Sequence, residues 1–204
     1  MPHYNLVMNN KNISWQEADI DENSRVSLMG HKSICLWLTG LSGAGKSTIS
    51  IFLEKKLFEF NIHTIILDGD NLRHGINQDL GFNDISRKEN IRRAAEIAKL
   101  TTSAGLVTIV SLISPYSHER ELAKSIFPQN KFFEIYINSP IELCEKRDVK
   151  GLYAKARLGQ IDNFTGISSP YEIPKKPDLI VSTENKSPSE CADEIFIFLK
   201  ELIF

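Results

Sequence analysis

Apolar residues in this chain recur in two alternating forms, short continuous runs and longer stretches at helical spacing. The run at 34–38 reads as a buried parallel strand. Residues 48–60 follow it with Ile49, Phe52, Leu53, Leu57 and Phe60 on one helical face. A second strand is predicted at 63–67. Ser86 to Glu89 has capping-box spacing and is read as opening a helix. Its apolar and small positions run through Ile91, Ala94, Ala95, Ile97, Ala98 and Leu100 to about 104, with Gly105 closing it. Further strands are predicted at 106–113, 132–137 and 179–181, with helices at 117–126 and 141–146. Ser187-Pro188-Ser189-Glu190 combines an N-cap, a proline at the first helical position and a capping-box glutamate. The helix it opens carries Ile195, Phe196, Leu199, Leu202 and Ile203 on its apolar face.

About five rounds of strand and helix predict a three-layer α/β/α domain around a central parallel sheet, spanning 34–204. Residues 1–33 read as a polar, Asn-rich arm in which Trp15 is expected to pack against something and 21–29 to form a short helix stopped by Gly30. The segment 148–176 has no sustained periodicity. Its length within a compact domain marks it as functional.

Between the first strand and its helix lies Gly40-Leu41-Ser42-Gly43-Ala44-Gly45-Lys46-Ser47, followed by Thr48. It fits the phosphate-loop pattern G-x-x-x-x-G-K-[ST], and strand, glycine loop and helix is the context that pattern requires. Backbone N–H groups of such a loop turn toward a phosphate, helped by the positive end of the helix. Lys46 can reach the outer phosphates and the Ser47 hydroxyl can ligate Mg²⁺. The chain is therefore expected to bind a nucleoside triphosphate.

In parallel sheets ligands bind beyond the carboxyl ends of the strands. The phosphate loop, Asp68-Gly69-Asp70 and Ser114 all fall there and should converge on one cleft, with the second strand beside the first. One of Asp68 and Asp70 could accept a proton from an attacking hydroxyl while the other holds Mg²⁺; the same residues are also strong turn formers. Arg73 and Arg87, with Asn90 one helical turn beyond Arg87, suit a second anion site. Phe82 and Phe164, both in glycine-flanked loops, read either as loop anchors or as rings that sandwich a flat heterocycle. Ser114 is plausible as a polar donor in the cleft and weak as a nucleophile.

With 204 residues the chain can bury one sizeable core, and a net charge of −2 argues against a nucleic-acid surface. Cys35, Cys144 and Cys191 form no C-x-x-C pair, which argues against a disulfide framework or a zinc site and suggests a reducing compartment. No apolar run approaches the roughly 20 residues that span a bilayer, and no signal peptide is evident, so a cytoplasmic location without membrane association is expected.

Taken together, these motifs resemble the adenylylsulfate kinase family, over residues from about 12 to 181. The resemblance rests on L-W-L-T-G-L-S-G-A-G-K-S-T at 36–48, L-D-G-D-N-L-R-H-G at 67–75 and L-G-F-N-D-I-S-R-K-E-N-I-R-R at 80–93. It extends to I-S-P at 113–115, K-G-L-Y at 150–153, F-T-G-I at 164–167 and the N-I-S-W of the arm. It implies transfer of the γ-phosphate of Mg²⁺-bound ATP to the 3′-hydroxyl of adenosine 5′-phosphosulfate. It further implies that residues 40–48 hold ATP, that Asp68 is the base and that Asp70 places the metal with Ser47. Arg73, Arg87 and Asn90 would hold the phosphosulfate, Phe82 and Phe164 would stack on its adenine, Ile113 would line the site, and Leu152 and Lys155, in a mobile lid over about 148–176, would close over it. Ser114 matches a serine described in the family as a phosphorylated intermediate. A homodimer and a separate ATP sulfurylase upstream are also implied. Three positions depart from the family pattern: Ser117 replaces an arginine, with Arg120 nearby to compensate, Val149 replaces a proline and Ala154 a lysine. A kinase for another small metabolite and an inactive nucleotide-binding module are the alternatives.

Overall fold

The computed structural model describes Ser14, Gln16 and residues 18–204. Trp15 and most of the N-I-S-W motif lie outside the described residues, and with them the expectation that Trp15 packs. The arm's short helix is present as α1 (Glu22–Met29), with the Asp21 carboxylate accepting from Ser24 N and Gly30 ending it.

The domain then runs β1 (Cys35–Thr39), α2 (Lys46–Glu59), β2 (Thr64–Asp68), α3 (Gly69–His74), α4 (Asp84–Ser103) and β3 (Val107–Ser111). It continues with α5 (Ser117–Ser125), β4 (Phe132–Asn138), α6 (Ile141–Arg147), α7 (Leu152–Arg157), β5 (Leu179–Ser182) and α8 (Pro188–Ile203). The five strands are parallel, in the order β2-β3-β1-β4-β5. Successive side chains of a strand point to opposite faces. In β1, Leu36 and Leu38 accordingly join one core with α2 and α8, through Leu53, Leu57, Ile195 and Leu199. Cys35 and Trp37 join the other, with Ile91, Ala94 and Ala98 of α4 and Ala123 of α5. Both faces of β1 are covered, which is why its sequence is an unbroken apolar run.

Four expectations are corrected. The second strand is not beside the first, because β3 lies between them. The long helix opens at Asp84 rather than at Ser86: Asn83 is the N-cap and accepts from Ser86 N, while Glu89 bonds forward to Arg92 and Arg93. Asp68-Gly69-Asp70-Asn71 is the start of α3, capped by Asp68, and not a simple turn. The segment 148–176 contains one short helix, α7, whose first N–H groups donate to the Asp148 carboxylate. The Ser187 capping box is present as read.

Candidate active site

The loop after β1 is pressed against the strand beside it. A Cβ at Gly40 would meet Ile137 O at 2.5 Å, so a side chain there would push the loop off β4. Gly45 caps α2 at φ 102, a conformation glycine adopts without strain. Lys46 is buried under the loop it follows. Its Nζ donates to Gly40 O at 2.9 Å and Leu41 O at 2.7 Å. Burial pushes its pKa down to about 8, against the opposing pull of nearby Asp68 and Asp70.

Ser47, the first outward residue of α2, donates its hydroxyl to Asp68 Oδ2 at 2.6 Å. The other carboxylate oxygen of Asp68 accepts from Asp70 N at 2.9 Å. Asp70 in turn pairs with Lys150, just before α7. Four residues read from the sequence, Lys46, Ser47, Asp68 and Asp70, thus meet at the carboxyl ends of β1 and β2.

A second group forms where α3 faces the start of α4. Arg73 lies over the Phe82 ring, 4.4 Å from its centroid, and donates to Leu80 O and Gly81 O, each at 3.0 Å. Burial, and then the charge of Arg87, holds its pKa below the ordinary arginine value. Two guanidinium groups therefore share one neighbourhood, as an anion site requires. Arg87 donates to Phe82 O, Thr165 Oγ1 and Asn163 O. Asn90 is buried, and its Oδ1 accepts from Asn77 Nδ2 at 3.0 Å.

The two phenylalanines are not equivalent. Phe82 is 65% exposed, whereas Phe164 is 8% exposed and edge-on to Tyr153, with ring centroids 4.9 Å apart. In this conformation only Phe82 of the two is open to solvent. Leu152 is half-buried against the core, while Lys155 points to solvent.

Ser114 is 2% exposed and has φ 39, which turns the chain sharply after β3. Its hydroxyl accepts from Trp37 Nε1 at 3.0 Å and donates to Thr39 Oγ1 at 2.9 Å. Thr39 also bonds Ile113 O at 2.7 Å and the Tyr171 hydroxyl at 3.0 Å. The structure therefore presents Ser114 as a member of a buried polar network, not as a free nucleophile. Arg120, expected to compensate for the arginine absent at 117, is buried. It is 3% exposed and committed to Glu134 Oε1, Ser114 O and Glu172 O. Ser117 instead donates its N–H and its hydroxyl to Glu172. Val149 is exposed and Ala154 is part of the Asp148-capped turn.

Sequence reasoning did not single out Arg147, Lys150, Tyr153, Thr39 or Tyr171. Arg147 clamps the loop from behind, donating to Ala44 O at 3.2 Å and Thr183 O at 3.2 Å. Tyr153 donates its hydroxyl to Ser42 O at 2.9 Å. Lys150 and Tyr153 fall within the K-G-L-Y motif, which was the available signal; nothing in the local sequence marks Arg147.

A phosphate loop on a five-stranded parallel sheet, a strand-end carboxylate facing its serine and a paired-arginine site opposite define a P-loop small-molecule kinase. The family model for adenylylsulphate kinase matches residues 32–182. An adenylyl-sulfate kinase of Clostridium acetobutylicum is 51% identical over 197 residues, covering 95% of this chain and 98% of that protein. One from Oceanobacillus iheyensis is 50% identical over 190 residues, covering 93% and 96%. The solved structure of the Mycobacterium tuberculosis APS kinase CysC in complex with AMPPNP and APS superposes with a TM-score of 0.80. It is 46% identical, and the match covers 83% of this chain and 98% of that one. The chain belongs to the adenylylsulfate kinase family. No helix among the described residues is long and apolar enough to cross a membrane.

Proposed function

We propose that this chain transfers the γ-phosphate of ATP directly to the 3′-hydroxyl of adenosine 5′-phosphosulfate, releasing ADP and 3′-phosphoadenylylsulfate. The observation that carries the reading is the 2.6 Å contact between Ser47 and Asp68, which joins the phosphate loop to a carboxylate at the mouth of the second site. Residues 40–48 hold the triphosphate, with Lys46 leaving its own loop carbonyls for the β- and γ-oxygens. Asp68 accepts the proton of the 3′-hydroxyl as that oxygen attacks the γ-phosphorus and the bond to the β-bridging oxygen breaks. Arg73 and Arg87 receive the phosphosulfate, Asn90 supports them, and Phe82 offers its ring to the adenine. Phe164, Ile113, Leu152 and Lys155 close around it as the lid settles.

The donors at the loop suit Mg²⁺. The Ser47 hydroxyl and the Asp70 carboxylate are hard oxygen ligands, and among the described residues no cluster of three or more metal-binding side chains exists. Mg²⁺ is typically held by one or two protein oxygens, with phosphates and water completing the shell. Ser47 and Asp70 would hold the ion, which would neutralise charge on the β- and γ-phosphates. Lys150 must then release Asp70, which ties lid position to nucleotide binding. We place the enzyme in a reducing, cytoplasmic setting, supported by three free buried cysteines, and infer that it works as a homodimer supplied by a separate ATP sulfurylase.

Incubation with Mg-ATP and a panel of acceptors tests this reading. ADP should form only with adenosine 5′-phosphosulfate. ADP formed with shikimate, gluconate or a nucleoside instead would make this another metabolite kinase, and no ADP at all would make it a binding module.

A further inference from the structure

Arg87 joins the loop just before its own helix to a segment 76 to 78 residues further along the chain. Its Nε donates to Phe82 O at 2.7 Å, its Nη1 to Thr165 Oγ1 at 2.8 Å and its Nη2 to Asn163 O at 2.6 Å. The first partner lies in the loop before α4, and the other two flank Phe164 in the lid. Residues 163–169 form a compact turn: Phe164 N donates to Ser168 Oγ at 2.9 Å, Gly166 N to Ser169 O at 2.7 Å, and Asn163 has φ 54. Thr165 is 2% exposed, so its hydroxyl is aimed inward at the arginine rather than at solvent.

A guanidinium has five N–H donors in a rigid plane. Arg87 uses one on each nitrogen for these contacts, which leaves a second hydrogen on Nη1 and another on Nη2. It can hold the turn and an anion at the same time. An ammonium group has three donors around a single atom and no fork, so it cannot span Phe82 O, Thr165 and Asn163 together. The lid has a second anchor at its far end. There Glu172 accepts from Ser117 N, its own N–H donates to Pro115 O, and its carbonyl takes Arg120. Between these anchors Arg87 holds the residues on either side of Phe164, whose ring packs edge-on against Tyr153.

We propose that Arg87 and Thr165 form a positioning pair: through Thr165 and Asn163 the guanidinium sets the turn that carries Phe164, and so prepares the second-substrate site before the substrate arrives. This rests on reading the cleft as the adenosine 5′-phosphosulfate site, and it adds to the anion-holding role of Arg87 a role in the lid. Thr165 is the residue that separates the two roles, because it touches the arginine and is assigned no contact with either substrate.

The test is Thr165→Val, close to isosteric, with Thr165→Ser as the restoring variant. Without any substrate, amide hydrogen exchange across 160–169 should be faster in Thr165→Val than in wild type and return toward wild type in Thr165→Ser. KM for adenosine 5′-phosphosulfate should rise about tenfold in Thr165→Val, the scale of one hydrogen bond to a charged group, with KM for ATP unchanged. Wild-type exchange and wild-type KM values in Thr165→Val would overturn the proposal. So would equal rises in both KM values with a lowered Tm, since that pattern means a general loss of fold. The exchange measurement uses no substrate, so its failure is distinct from a failure of the substrate assignment.

Discussion

Ser47 Oγ and Asp68 Oδ2 lie 2.6 Å apart although their strands are not neighbours. The contact arises because Ser47 lies in the first turn of α2 and Asp68 caps α3, so both project past the carboxyl edge of the sheet, where β3 runs between their strands. Asp68 thus has a structural task, accepting from Asp70 N, while its other oxygen takes the Ser47 hydroxyl. Asp68→Asn keeps an oxygen for the cap and removes the base. Transfer should slow by about 10² to 10⁴, the usual worth of a general base, while ATP affinity measured by calorimetry stays near wild type. Near-normal turnover would remove Asp68 from that role.

Lys46 gives ATP binding a pH dependence. Burial lowers its pKa to about 8 in the free protein, and a triphosphate beside Nζ must raise it again. Binding then takes up a proton above pH 8. The apparent Kd for ATP should climb with pH by up to about tenfold per unit between pH 8 and 10. Lys46→Gln should bind more weakly throughout and show no such slope. A flat wild-type profile would contradict the burial argument.

Ser114 can be tested through stability as well as turnover. Ser114→Ala strands the buried Trp37 N–H and removes a partner of Thr39. An unpaired buried donor costs about 1 to 3 kcal/mol, so chemical denaturation should show a loss of that size. Transfer should persist at a substantial fraction of wild type. Loss of all turnover in a folded Ser114→Ala protein would restore a covalent role.

Glu119, on α5 against the start of α4, is buried, and its Oε2 has no hydrogen-bond partner. Burial pushes its pKa up to about 7 from 4.5, with Asp84 adding to the rise and Lys88, Arg120 and Arg87 opposing it. An acid whose pKa is raised on folding favours the folded state fully below its unfolded value and loses that contribution as pH rises through the folded value. The wild-type protein should therefore lose stability between pH 4.5 and about 7 from this group. Glu119→Gln should flatten that part of the curve and raise Tm at pH 8 by about 3 °C, the effect of roughly 1 kcal/mol in a domain of this size. An unchanged slope would mean that Glu119 stays ionised in the fold.

Much of this architecture is legible in the chain because periodicity and local chemistry agree. β1 is apolar on both faces, and the phosphate loop is followed by its helix. The opening of α8 is readable because Ser187 and Glu190 satisfy each other locally. The start of α4 is not, because two residues compete for the cap and Asn83 wins while Glu89 is drawn to Arg92 and Arg93. Strand order is invisible to local pattern: nothing in Asp68 or its neighbours says that β3 will be inserted beside β1. The polar network of Trp37, Thr39, Ser114 and Tyr171 is likewise made by partners up to 132 residues apart. Candidate site residues could be named one by one, but the engagement of Arg87 with Asn163 and Thr165 and of Arg120 with Glu134 needs the tertiary structure.

Direct transfer from the loop-bound triphosphate to the 3′-oxygen leaves its mark in the stereochemistry at phosphorus. ATP made chiral at the γ-phosphate with oxygen isotopes is turned over with adenosine 5′-phosphosulfate, and the 3′-phosphate of the product is analysed. A single in-line displacement, with Asp68 as base and Ser114 locked in its network, predicts inversion of configuration. Retention would mean two displacements through a phosphorylated residue and would contradict the account.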